Sequence, residues 1–208
     1  MWEICGYILK PGEKKQVVLG VPMDGLAHNG QAAVLPDTVS RAGVGAGDYE
    51  LPATLICGSH PGKTILISAG VHSGEYPGVA AVIRAAKEID PAMLTGNILL
   101  IHCINTSGFW AYAPSIVPED GQNLNRKYPG NAAGTVAEQA DHRIPLPKQT
   151  HLHLSLTMVQ GIAEQIGEYP QDPRRIRRHA GQSLGQIHRY IEARIGKVVV
   201  KGRQQSGE

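Results

Sequence analysis

Lys63-Thr64-Ile65-Leu66-Ile67-Ser68-Ala69-Gly70-Val71-His72-Ser73-Gly74-Glu75-Tyr76-Pro77-Gly78 is the stretch on which the fold turns. Residues 63–69 form a short apolar run with no polar side chain in its middle, which reads as a strand buried on both faces. Glycines at 70 and 74 then let the backbone bend tightly. A helix is expected over about residues 78–89, because Val79, Val82, Ile83, Ala86 and Ile89 recur on one helical face. Residues 97–105 supply a second buried strand. Strand, helix, strand is a βαβ unit, so the two strands should pair in parallel with a right-handed crossover. Loops at the carboxyl ends of such strands are where α/β folds bind ligands. His72 and Glu75 lie in one of them.

Upstream, residues 16–21, 32–35 and 53–57 are apolar runs separated by Gly- and Pro-containing turns. Residues 1–60 are therefore expected to form a short β-rich lead-in packed on the main domain, and residues 61–139 its α/β core. His28 and His60 fall in Gly/Pro turns and read as solvated. Downstream, His151-Leu152-His153-Leu154-Ser155-Leu156 alternates apolar and polar like a strand. Residues 159–168 and 174–195 read as helices, and 197–201 as a closing strand.

Charge divides the chain in the same place. Residues 1–139 carry 9 Lys and Arg against 12 Asp and Glu, whereas 140–208 carry 11 against 6. Arg alone rises from 3 to 8 across that boundary, so residues 140–208 read as a divergent basic segment, part of the same domain or partly disordered. The overall net charge of +2 points to no class of charged partner. Arg174-Arg175-Ile176-Arg177-Arg178 is basic enough to meet phosphates, but it is short and lacks interleaved aromatics. A solvated helical face is the expectation, with no nucleic acid partner. No apolar run reaches the length of a membrane span, and the first residues lack a basic leader, so a cytoplasmic protein with no membrane partner is expected. Cys5, Cys57 and Cys103 are odd in number, without CxxC spacing, and read as free thiols of a reducing compartment.

Two constellations carry chemistry. A catalytic zinc takes three protein ligands and keeps one position open. His72-x-x-Glu75, in a Gly-rich turn between a buried strand and a helix, supplies two of the right type. The competing reading is a polar turn that merely caps the helix. The second constellation is Pro118-Glu119-Asp120-Gly121-Gln122-Asn123-Leu124-Asn125-Arg126-Lys127-Tyr128-Pro129-Gly130. Its Asn–Arg pair suits an anion, since Arg presents a planar fork and Asn a directional hydrogen bond. A solvated arginine is the plain alternative. His102, inside an apolar run, reads as a core histidine with a hydrogen-bond partner. Phe109, Trp110 and Tyr112 either wall a pocket or simply pack.

Gly70-x-His72-x-Gly74-Glu75 followed by Asn123-Leu124-Asn125-Arg126-x-x-Pro129-Gly130 resembles the succinylglutamate desuccinylase/aspartoacylase family, which is related to the zinc carboxypeptidases. The resemblance spans roughly residues 17–139. It implies an α/β, zinc-carboxypeptidase-like fold, with a mixed, largely parallel sheet flanked by helices. It implies zinc as cofactor, with His72 and Glu75 as metal ligands and Asn125 and Arg126 holding the substrate's carboxylate or polarised carbonyl. The implied activity is hydrolysis of an amide bond in a small N-acyl amino acid or related amide.

The chain departs from the family pattern in its later part. The family's third ligand is a His at the end of a later strand, within Asp-Leu-His, and this sequence has no Asp-Leu-His. His153 is the expected substitute, with His151 on the same strand face as its support and His142 as a weaker alternative. The family's general base is a later glutamate, and Glu164, Glu168 and Glu192 are present without a matching pattern. Relatives also often carry an Arg before the Asn–Arg loop, where this chain has Pro114-Ser115-Ile116-Val117. The expectation is therefore a zinc-dependent deacylase, with a catalytically inactive, truncated remnant that keeps some metal or carboxylate binding as the alternative. A truncation or reading-frame change after about Gln139 would account for both the arginine jump and the missing motif.

Overall fold

The computed structural model describes residues 1–23, 39–40, 44–45, 48–143 and 150–156. Strands β1 (Trp2–Ile4) and β2 (Tyr7–Leu9) form a hairpin, which the sequence reading does not anticipate. Its turn residues Cys5 and Gly6 both have positive φ, at 47° and 77°. That is the backbone of a primed two-residue turn, built here without the usual Asn-Gly signal. β3 (Lys14–Val21), β4 (Tyr49–Cys57), β5 (His60–Ala69), β6 (Thr95–Ile101) and β7 (Thr150–Leu156) make one five-stranded sheet. Their order across the sheet is β3-β4-β6-β5-β7.

The sheet is mixed. β5 pairs in parallel with β6 and β7, while β4 pairs antiparallel with β3 and β6. Among the described residues the parallel pairings thus account for half of the ladder, because strands from the lead-in join the main sheet directly. Between β5 and β6 runs α1 (Tyr76–Glu88), so the expected βαβ unit with its parallel strands is present.

Alternation along β5 explains the two-layered core. Ile65, Ile67 and Ala69 face the cluster that includes Val79, Val82, Ala85 and Ile89 of α1 and its end. Leu66 faces the opposite cluster with Trp2, Tyr7, Leu51, Leu99 and Leu124. Both sets are buried, so each strand position loses contact with water on its own face. The α1 face is rotated from the expected one: Ala81 and Ala85 are buried, whereas Ile83 is 38% exposed. On the other layer lies α3 (Val136–Arg143), which starts with a capping box between Thr135 and Glu138. A short helix α2 (Thr106–Trp110), N-capped by Asn105, follows β6.

No helix among the described residues is long and apolar enough to cross a membrane. Residues 32–35 of the lead-in, the helices over 159–168 and 174–195, the closing strand over 197–201 and the basic Arg174–Arg178 stretch lie outside the described residues.

Candidate active site

β5 ends at Ala69, and the chain turns at Gly70, whose φ is +68°. A Cβ built there would stand 2.7 Å from Cys103 Sγ and 3.1 Å from Cys103 Cα, so the turn tolerates glycine alone. The next residues carry His72 and Glu75 up to the start of α1, closed by a Glu75 N–H to His72 carbonyl bond of 3.0 Å. Glu75 occupies the N-cap position of α1, but its side chain makes no capping hydrogen bond. The carboxylate turns instead to His72, with Oε1 2.9 Å from Nδ1. The turn thus starts the helix through the Glu75 backbone while its side chain serves His72.

The other ring nitrogen is held from the second constellation. His72 Nε2 lies 3.1 Å from Asn123 Oδ1. That oxygen already accepts the backbone N–H of Asn125 at 3.0 Å, as the cap of a 3₁₀ turn over Leu124–Arg126. The cap sets the amide with its oxygen toward the imidazole, and an oxygen can only accept. The proton is therefore assigned to Nε2, which leaves the Nδ1 lone pair facing a carboxylate. Two such acceptors at 2.9 Å repel unless a cation serves both. A proton on Nδ1 is one answer. The hydrogen bond to Glu75 raises the His72 pKa above its usual value, with a further push from Asn123, against the opposing effects of burial and of Arg126.

A metal ion is the other answer. Glu75 Oε2 is buried and has no hydrogen-bond partner among the described residues, a state in which buried carboxylate oxygens are seldom left. One fixed imidazole nitrogen beside a carboxylate with an unused oxygen suits two positions of a zinc coordination sphere. No third His, Cys, Asp or Glu joins them among the described residues.

Asn125 and Arg126 sit on the same 3₁₀ turn, both exposed, while Leu124 between Asn123 and Asn125 is fully buried and anchors it. Asp120 braces the turn from behind. Its carboxylate accepts the N–H groups of Gln122 at 2.9 Å and of Ala137 at 2.8 Å, tying the loop to the first turn of α3. The residue that sequence reasoning passes over is Asn123. Its signal is the spacing Asn-x-Asn ahead of a turn, in which a side-chain oxygen caps the backbone two residues on.

His153 lies in β7, the parallel neighbour of β5, opposite Leu66. Ala69 pairs with Leu156, so position 153 is three residues, or about 10 Å of strand, short of the edge from which the His72 loop departs. His151 falls at a register shift between Thr150 and Leu152 and has no partner position in β5. His142 is exposed on α3. Glu164, Glu168 and Glu192 lie outside the described residues. His102 is half-buried at the end of β6: its Nε2 lies 2.9 Å from Thr54 Oγ1, and burial lowers its pKa to about 4. Phe109 packs edge-on against both Tyr76 and Trp110, while Trp110 and Tyr112 are largely exposed.

Comparison with known proteins bears on what such a site is for. Residues 61–188 match the family model of the succinylglutamate desuccinylase/aspartoacylase catalytic domain. The matched region runs through Gln139, where the composition changes. The chain is 27% identical over 130 residues to N-alpha-acetyl-L-2,4-diaminobutyric acid deacetylase of Halomonas elongata, covering 62% of this chain and 37% of that protein. An aspartoacylase family protein from Mesorhizobium loti superposes with a TM-score of 0.53 at 26% identity, over 71% of this chain and 41% of that one. A succinylglutamate desuccinylase/aspartoacylase from Rhodobacter sphaeroides shares the fold, with a TM-score of 0.51 at 23% identity over 68% of this chain and 38% of that one. The chain thus spans less than half the length of these relatives.

Proposed function

Because the chain belongs to the succinylglutamate desuccinylase/aspartoacylase family, we propose that it bears the metal-binding loops of a zinc-dependent deacylase that hydrolyses the amide bond of small N-acyl amino acids. The observation that carries this reading is the His72–Glu75 pair: Nδ1 aimed at a carboxylate, Nε2 committed to Asn123, and Glu75 Oε2 buried without a partner among the described residues. His72 and Glu75 would hold the metal. Zinc, when bound, supplies a Lewis acid and makes a water acidic near neutral pH. Asn123 keeps the imidazole in the tautomer that leaves Nδ1 free to bind. The exposed guanidinium of Arg126, with Asn125 beside it, meets the substrate's carboxylate or negative charge that develops on the carbonyl oxygen.

His153 is the candidate third ligand, because β7 adjoins β5 and both strands run toward the loop. Its register position makes it the residue most in need of a direct test. A screen for the acyl group starts with N-acetyl-2,4-diaminobutyrate, the compound in the name of the Halomonas relative.

Zinc content by elemental analysis tests the proposal. About one zinc per chain is expected, lost in His72→Ala and lost or weakened in His153→Ala. No stoichiometric metal after zinc is supplied would overturn it. A wild-type zinc content in His153→Ala would remove that residue alone. A second reading, a non-catalytic relative with residual metal or carboxylate binding, is favoured by the fact that only two ligand side chains converge among the described residues. Bound zinc without turnover of any N-acyl amino acid would select it.

A further inference from the structure

Four hydrogen bonds that the proposed chemistry does not use join the two loops on which it depends. Asn105 N–H donates to the carbonyl of Gly70 at 2.9 Å, at the root of the His72 loop. Asn105 Nδ2 donates to the carbonyl of Ile116 at 2.9 Å, on the segment that leads to Asn123. Ser73 Oγ donates to the carbonyl of Ala113 at 2.9 Å, and Gly74 N–H to that of Pro114 at 3.0 Å. Asn105 is fully buried, and the two ends of its amide serve different elements. Its Oδ1 accepts the Gly108 N–H at 3.0 Å and so caps α2, which leaves Nδ2 for Ile116. From Ile116 the position is passed on by the Val117 N–H to Gln122 carbonyl bond of 2.8 Å and by Asp120, directly ahead of Asn123.

We infer that Asn105, assisted by Ser73, is a positioning residue that fixes the spacing between the His72–Glu75 loop and the Asn123 turn, and through it the tautomer and aim of the His72 ring. Its effect on metal affinity rests on the proposed reading of the site; its effect on the ring does not. A buried amide whose donor and acceptor are both committed specifies one arrangement of the groups around it. Asn105→Asp keeps the acceptor for Gly108 but puts a second oxygen against the Ile116 carbonyl, so the clamp opens on one side only. Ser73→Ala removes the neighbouring bond with almost no change of shape.

The test reads His72 directly. Long-range proton–nitrogen spectra of the imidazole, recorded on the full chain above its titration range, distinguish a ring held in a single tautomer from an averaged one. Zinc affinity is measured alongside by competition with a chelator. The wild type is expected to show the fixed tautomer; both variants should show averaging and a loss of zinc affinity of about tenfold or more, the range found for groups that orient a ligand. Lys14→Met serves as a control, since Lys14 Nζ caps the far end of α1 on the Ala86 carbonyl at 2.7 Å. It should lower the melting temperature and leave both readouts unchanged. His72 signals identical to wild type in the folded variants would overturn the inference, as would an equal disturbance in the control. Should Asn105→Asp fail to fold, Ser73→Ala decides alone. A tautomer that changes in the variants while no form of the protein binds zinc would uphold the positioning role and overturn the metal reading.

Discussion

Asn123 shows how a single residue can set chemistry that its neighbours advertise. Asn125 and Arg126 stand out in the sequence as an anion-binding pair, yet the side chain in contact with His72 belongs to Asn123, at 3.1 Å. What hides it is that its oxygen does two jobs, capping the turn and orienting the imidazole. Asn123→Ala is expected to lower zinc affinity some 10- to 100-fold by freeing the ring. Asn123→Asp keeps the acceptor and adds charge, so its affinity should match or exceed that of the wild type. Chelator competition on the two variants checks both, and equal affinities would remove Asn123 from the site. Gly70, by contrast, is legible as a tight-turn residue, but its close approach to Cys103 is not. Its φ of +68° and the 2.7 Å approach of a hypothetical Cβ to Cys103 Sγ lead us to expect Gly70→Ala to cost about 2 kcal/mol in urea unfolding. Adding Cys103→Ala should recover only part of this, because the backbone strain and the contact with Cys103 Cα at 3.1 Å persist.

At the scale of elements, β5, α1, β6 and β7 are legible because each is long enough for its hydrophobic period to register. The face of α1 is less so. Val79, Val82, Ala86 and Ile89 are buried as expected, but Ile83 borders that stripe, and the helix rolls to set the small side chains of Ala81 and Ala85 against the sheet. Small residues permit the close approach that makes the contact dense. A pair of substitutions separates the two faces. Ile67→Ala, on the fully buried face of β5, should cost about 2–5 kcal/mol, and Ile83→Ala less than about 1 kcal/mol. Comparable losses in denaturant unfolding would mean that α1 packs through the Ile83 face instead. The hairpin of β1 and β2 and the short α2 escape sequence reading for the opposite reason: three to five residues give no period to count.

For the whole molecule, the two-layered core and the mixed sheet follow from strands whose alternate residues are apolar on both faces. The pairing of β4 with β6, which brings the lead-in into the main sheet, leaves no local mark in the sequence because it joins segments far apart in the chain. Burial on this scale also sets how stability responds to pH. His102 is held neutral beside Thr54, with its pKa lowered from 6.5 to about 4 by burial. The unfolded chain therefore binds more protons than the folded one between those values, and stability falls as pH drops from about 6.5 toward 4. At the alkaline end burial pushes Cys103 from 9.0, and Tyr49 from 10.0, up to about 12. There the unfolded chain loses protons first, so stability declines as pH rises from about 9 toward 12. Between these limits the slope belongs to His72, whose raised pKa makes the folded chain hold its proton longer than the unfolded one, so stability falls gently as pH rises above about 6.5. His102→Gln keeps a polar group for Thr54 but cannot titrate, so its unfolding free energy should vary less between pH 6.5 and 4, by up to about 3 kcal/mol. An acid limb as steep in the variant as in the wild type would assign the loss to other groups and leave His102 as a packing residue only.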